Sequence, residues 1–148
     1  MEIAEFIAPD RVALDLRVRD KAQLLQELAK RAEPSSGGLS ADTILAALRS
    51  REQLGSTGLG KGFALPHARI EGLTRFVGLL ARLARPIDYD AIDNAPVDLV
   101  FLLLMPADAG NNHVAALAAV SRRFRDGDTT ARLRKADAAT AYGILTAH

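Results

Sequence analysis

Two of the three histidines in this chain stand where they could act as nucleophile and partner. His67 follows Pro66 directly in "ALPHAR", where the proline limits the backbone and a side chain can be aimed out of a strand end. His113 heads "AGNNHVAALAAV", an apolar pattern of helical period just past a strand-like run. In α/β sheets, strand ends and helix starts are where ligands collect, so the pair would face a common site if both lie on one rim. The terminal His148 takes the ordinary reading of a lone histidine, a surface or satisfied core residue. A neutral imidazole, with an unperturbed pKa of about 6.5, offers a lone pair at pH 7 without a strong base.

Shortly before His67 runs "GSTGLGKG", residues 55–62. Gly55, Gly60 and Lys61 satisfy most of a nucleotide-binding P-loop, but Gly62 stands where the magnesium-ligating hydroxyl belongs. The context is also reversed. A P-loop follows a strand and opens a helix, whereas here a helical pattern precedes the glycines and the extended "GFALP" follows them. Nucleotide binding through this loop is excluded. A glycine run can turn several N–H groups toward one anion, or it can be a tight connection with no ligand. Two histidines, such a nest and a nearby arginine suit phosphoryl transfer to histidine, since N–H groups and a guanidinium stabilise the charge on the transferring oxygens. Zinc held by the two histidines and an aspartate is the competing chemistry, although no H-E-x-x-H or similar spacing exists. No cofactor is expected.

The elements that must position these residues are legible in outline. Asp20 can cap a helix through "KAQLLQELAKRA" with Leu24, Leu25 and Leu28 on one face, and Ser40 can cap "ADTILAALRSRE" with Ile44, Leu45 and Leu48. "EPSSGGLS" (33–40) is the loop between them. "FVGLLARLA" (76–84) and "VDLVFLLLM" (97–105) read as strands, the second apolar on both faces as a helix-covered central strand should be. "RPIDYDAIDNAP" between them is a loop with room for one more extended segment. "NNHVAALAAVSRRF", "TTARLRKA" and "ADAATAYGILTA" read as closing helices. Two opening helices, central strands and closing helices make an α/β or α+β domain with a helix-covered sheet.

Composition narrows the function classes. The 148 residues suit one domain with a real core, and the absence of cysteine excludes disulfides, thiolate catalysis and Cys-ligated metals. Nineteen Lys and Arg against eighteen Asp and Glu predict no nucleic-acid partner. Arg122, Arg123, Arg125, Arg132, Arg134 and Lys135 are interspersed with Asp126, Asp128 and Asp137 and read as a solvated helical face. The start has no secretory pattern and the longest apolar run is too short for a bilayer, so a cytoplasmic protein without membrane insertion is expected.

The segment "SREQLGSTGLGKGFALPHARI" (50–70) closely resembles the active-site segment of the fructose/mannitol-type (type 2) enzyme IIA domains of the phosphoenolpyruvate-dependent phosphotransferase system. Within that group it looks most like the stand-alone nitrogen-regulatory proteins. "PIDYDAIDNAPVDLVFLLLMPADAGNNHVAALAAVSRRFRD" (86–126) resembles the family's second signature, a strand, a proline turn and a His-headed helix. The resemblance implies a single α/β domain over residues 1–148, a central mixed β-sheet flanked by helices, of the phosphotransferase/anion-transporter-like kind. It implies that His67 accepts a phosphoryl group from an HPr-like phosphocarrier, that His113 holds or orients that histidine or its phosphate, and that Arg51 stands near the phosphoryl group. Ser56 and Thr57 match the family's hydroxyl pair, and with Gly58, Gly60 and Gly62 they become a phosphate cradle.

The expected output is regulatory, through target proteins such as potassium-transport or sensor-kinase components, because no IIB, IIC or carrier sequence accompanies the domain. A sugar-specific enzyme IIA passing phosphate to a IIB component is the alternative, and a binding module of the same fold that has lost phosphorylation is another. Two departures bear on partner choice: Lys61 where the family often has Asn, and Ala68 where it often has Gly.

Overall fold

A computed structural model describes residues 1–147, and His148 lies outside the described residues. After 3-10 turns at Ile3–Glu5 and Pro9–Arg11 come strand β1 (Val12–Leu16) and helices α1 (Lys21–Ala32) and α2 (Ala41–Gln53). Strands β2 (Gly58–Gly60), β3 (Phe63–Ala64), β4 (His67–Ile70), β5 (Val77–Ile87) and β6 (Val97–Pro106) follow, then helices α3 (Asn112–Arg125), α4 (Gly127–Leu133) and α5 (Ala138–Thr146). Both expected caps form: the Gln23 N–H donates to the Asp20 carboxylate at 2.8 Å, and the Thr43 N–H to the Ser40 hydroxyl at 3.1 Å.

One mixed sheet takes all six strands in the order β1-β5-β6-β3-β2, with β4 also beside β6. β6 is its axis. It runs antiparallel to β5 on one side and parallel to β3 and then β4 on the other, with Phe63 opposite Leu99 and His67 opposite Leu103. β3 and β4 are in effect one strand broken at Leu65–Pro66. The two-residue period of β6 divides the core. Val100, Leu102 and Leu104 pack with Leu24, Leu28, Ile44 and Leu48 on the α1–α2 face. Leu99, Phe101, Leu103 and Met105 pack with Phe6, Val120, Phe124 and Leu145 on the other. Helices on both faces are why this strand is apolar without alternation.

Some expectations need correcting. The opening is not helical alone, because β1 pairs in parallel with β5 as the outer strand. "VALDL" hides this, since Asp15 sits at φ +55° and the register shifts between Ala13 and Leu16. β5 runs on to Ile87, so "RPI" extends the strand and only the rest of that segment is loop. The basic cluster is only partly a solvated face. Arg123 donates to the Ile144 carbonyl at 3.2 Å and also to that of Ala147, and Arg134 pairs with Asp98 at 3.0 Å. Among the described residues, no helix is long and apolar enough to cross a membrane.

Candidate active site

The break in the β3–β4 strand creates the site. Pro66 has no N–H to donate, but its carbonyl accepts the Leu103 N–H at 3.0 Å, so the chain rejoins β6 in register and presents His67 as the first residue of β4. His67 is half-buried, and its Nδ1–H donates to the Leu65 carbonyl at 2.7 Å. That bond fixes the neutral ring's tautomer and leaves the lone pair on Nε2. Burial holds the His67 pKa below the ordinary 6.5; the Leu65 hydrogen bond pulls upward, the Arg51 charge adds to the lowering, and Glu52 opposes it.

Ser50 and three cationic or imidazole side chains, Arg51, Arg69 and His113, reach the same cavity, about 490 Å³ in volume. Arg51 projects from the last turn of α2, with its Nη1 donating to the Gly55 carbonyl at 3.0 Å. His113, in the first turn of α3, is buried and donates from Nε2–H to the Pro106 carbonyl at 2.6 Å. Since Pro106 ends β6 opposite Ile70 of β4, that bond ties the helix start to the strand pair carrying His67. The structure thus brings Arg51, His67 and His113 together. Arg69 is the residue sequence reasoning missed. It stands two residues from His67 on β4, hence on the same face, is exposed, and its guanidinium has no hydrogen-bond or ion-pair partner among the described residues. The signal was present in "HARI", once that stretch is read as a strand.

None of the five expected cradle residues lines this cavity, although the Thr57 carbonyl accepts the Leu65 N–H at 3.0 Å. The glycine run is a β-hairpin between α2 and β3, not a strand-to-helix loop. Gly58 is required because a Cβ there would come 2.7 Å from that of Ala91. Gly60, Lys61 and Gly62 turn the chain with φ of +102°, +56° and +80°. Side chains from distant segments hold that turn: the Lys61 N–H donates to Asp93 at 2.9 Å, and Arg134, paired with Asp98, donates to the Lys61 carbonyl at 2.9 Å. The hydroxyls are also committed. Ser56 donates to the Tyr89 carbonyl at 3.1 Å and accepts from the Gly58 N–H, while Thr57 is 1% exposed and bonded to Glu52. Ala68 lies in β4 opposite Leu104 without positive φ, so its methyl replaces a glycine hydrogen at no backbone cost.

Comparisons with known proteins bear on the family and the fold. The family model for "Phosphoenolpyruvate-dependent sugar phosphotransferase system, EIIA 2" matches residues 5–146. The nitrogen regulatory protein of Bradyrhizobium diazoefficiens is 43% identical over 146 residues, covering 98% of this chain and 95% of that one. The crystal structure of nitrogen regulatory protein IIA-Ntr from Neisseria meningitidis superposes with a TM-score of 0.93 at 34% identity, over 97% of this chain and 99% of that one. The mannitol IIA of Escherichia coli, solved in complex with phosphorylated mannitol IIB, shares the fold with a TM-score of 0.79 at 13% identity, over 95% and 96% of the two chains. The chain belongs to the EIIA type 2 family of the phosphoenolpyruvate-dependent sugar phosphotransferase system.

Proposed function

We propose that the protein is a cytoplasmic phosphoryl-relay component in which Nε2 of His67 accepts a phosphoryl group from the phosphohistidine of an HPr-like carrier. The observation that carries this reading is the Nδ1–H bond to Leu65 on a histidine whose pKa is held down, which leaves Nε2 as the free nitrogen. Its lone pair forms the new N–P bond as the donor's N–P bond breaks, and the donor nitrogen recovers the electron pair. No proton leaves His67. The positive charge its ring acquires is met by the Leu65 carbonyl, while Arg51 and Arg69 face the negative charge on the phosphoryl oxygens. His113, pinned at Pro106, orients the acceptor and its phosphate from the α3 side.

The output is regulatory in this reading: target proteins bind according to the phosphorylation state of His67. The relatives named for nitrogen regulation support it, one of them 43% identical along nearly the whole chain. Transfer to a IIB component, as in a sugar-specific enzyme IIA, is the outcome that would replace it. The test is intact-protein mass after incubation with phosphoenolpyruvate, enzyme I and an HPr-like carrier. Wild type gains one acid-labile phosphoryl group, His67→Ala gains none, and His113→Ala gains it slowly. No gain in wild type, while the same carrier phosphorylates a known acceptor, rejects the relay.

A further inference from the structure

Behind the cavity lies a polar cluster that the phosphoryl chemistry itself does not use. The Glu52 side chain is 7% exposed, yet it accepts the Thr57 N–H at 3.1 Å, the Thr57 hydroxyl, and Lys21 Nζ at 2.9 Å. The Thr57 hydroxyl oxygen is 3.0 Å from that of Tyr89, and the Lys21 ammonium lies 4.4 Å from the centroid of the Tyr89 ring. Burial, reinforced by the Glu52 charge, pushes the Tyr89 phenol far above its ordinary range, so it stays a neutral hydroxyl. A buried carboxylate is tolerated only when paired and hydrogen-bonded in this way, and an apolar residue would fill the space at lower cost. What distinguishes the position is its neighbour. Glu52 follows Arg51, the Gly55 N–H donates to the Glu52 carbonyl at 3.1 Å, and the Gly55 carbonyl accepts the Arg51 guanidinium.

We propose that the Lys21–Glu52–Thr57–Tyr89 cluster is a positioning device for Arg51: it fixes residues 54–57 so that the Gly55 carbonyl keeps the guanidinium in the His67 cavity. The inference rests on the relay reading of His67, and it turns Thr57 from a phosphate ligand into a residue acting through Arg51. Placement to within about 1 Å is what such a loop would supply, and errors of that size cost about a hundredfold in rate.

The experiment reads Arg51 through His67 in the unphosphorylated protein, where Arg51 and Glu52 are the charges His67 feels and Arg69 and His113 share its cavity. Thr57→Val cuts the hydroxyl link without changing charge. The NMR titration midpoint of His67 should then rise, as in Arg51→Gln, and the double variant should rise no further than Arg51→Gln alone. Tyr89→Phe keeps the ring, gives the same shift in smaller measure, and decides the matter if Thr57→Val does not fold. Phosphorylation rates should fall by about tenfold in Thr57→Val, without a further fall when it is added to Arg51→Gln. An unmoved midpoint in the folded variants, or an equal shift in the Arg51→Gln background, overturns the positioning role. A wild type that takes no phosphoryl group overturns the relay instead, and the titration still decides the positioning.

Discussion

A histidine that donates one ring hydrogen to a backbone carbonyl has one nitrogen left for chemistry, and its environment decides whether that nitrogen is free at neutral pH. For His67, burial lowers the pKa, with Arg51 contributing in the same direction. The unfolded chain therefore binds a proton on His67 at a higher pH than the folded protein does. Stability from this residue is fully present above about 6.5, the unfolded value, and is lost as pH falls from there through the folded pKa. Wild type should lose stability relative to His67→Gln between neutral pH and pH about 5. Urea unfolding of both proteins at several pH values checks this, and parallel curves would mean that His67 titrates normally. At this scale His67 and His113 stood out by residue type and position, and Arg51 by the family resemblance of its segment. Arg69 did not, because its role depends on a four-residue strand whose alternation is too short to recognise beforehand.

Elements explain why the glycine run suggested a phosphate cradle and yet does not line the His67 cavity. Its glycines serve the β2–β3 hairpin, whose partner atoms come from Ala91, Asp93, Asp98 and Arg134, all distant in sequence. No local pattern reveals such partners. Likewise β1 was missed because its bulge breaks the period-two pattern, whereas α1, α2 and β6 were found because cap, stripe and apolar run are local. α2 also allows fold stability and site geometry to be separated. Its N-cap Ser40 lies eleven residues before Arg51, roughly 16 Å along the helix. Ser40→Ala removes the acceptor for the Thr43 N–H and should cost about 1 kcal/mol of stability. The phosphorylation rate of the folded protein should stay within about twofold, since the tertiary packing of Ile44 and Leu48 still holds the helix. Denaturant unfolding and initial-rate measurements on the same preparation check both halves. A large rate loss would mean that the whole helix moves when its start frays.

For the whole molecule, a net charge of +1 supplies little long-range attraction, so encounter with a carrier must rely on the surface around the cavity. One large exposed apolar side chain lines it, and a second follows His113 in the chain. Leu54, at the α2 end, is 84% exposed, and Val114, next to His113 on α3, is 71% exposed. Both are too exposed to contribute to the core. A second exposed apolar pair, Leu59 and Ile92, sits along β2, on the far side of β3 from β6. If the carrier docks over His67, Leu54→Asp with Val114→Asp should raise the apparent KM for the phosphorylated carrier by about tenfold or more. The maximal rate and the unfolding temperature should change little, because exposed substitutions rarely cost more than about 0.5 kcal/mol. Leu59→Asp with Ile92→Asp serves as the matched control and should leave KM unchanged. Initial rates against carrier concentration distinguish the pairs. If the control pair raises KM instead, the donor approaches along the β2 edge and reaches His67 across the hairpin.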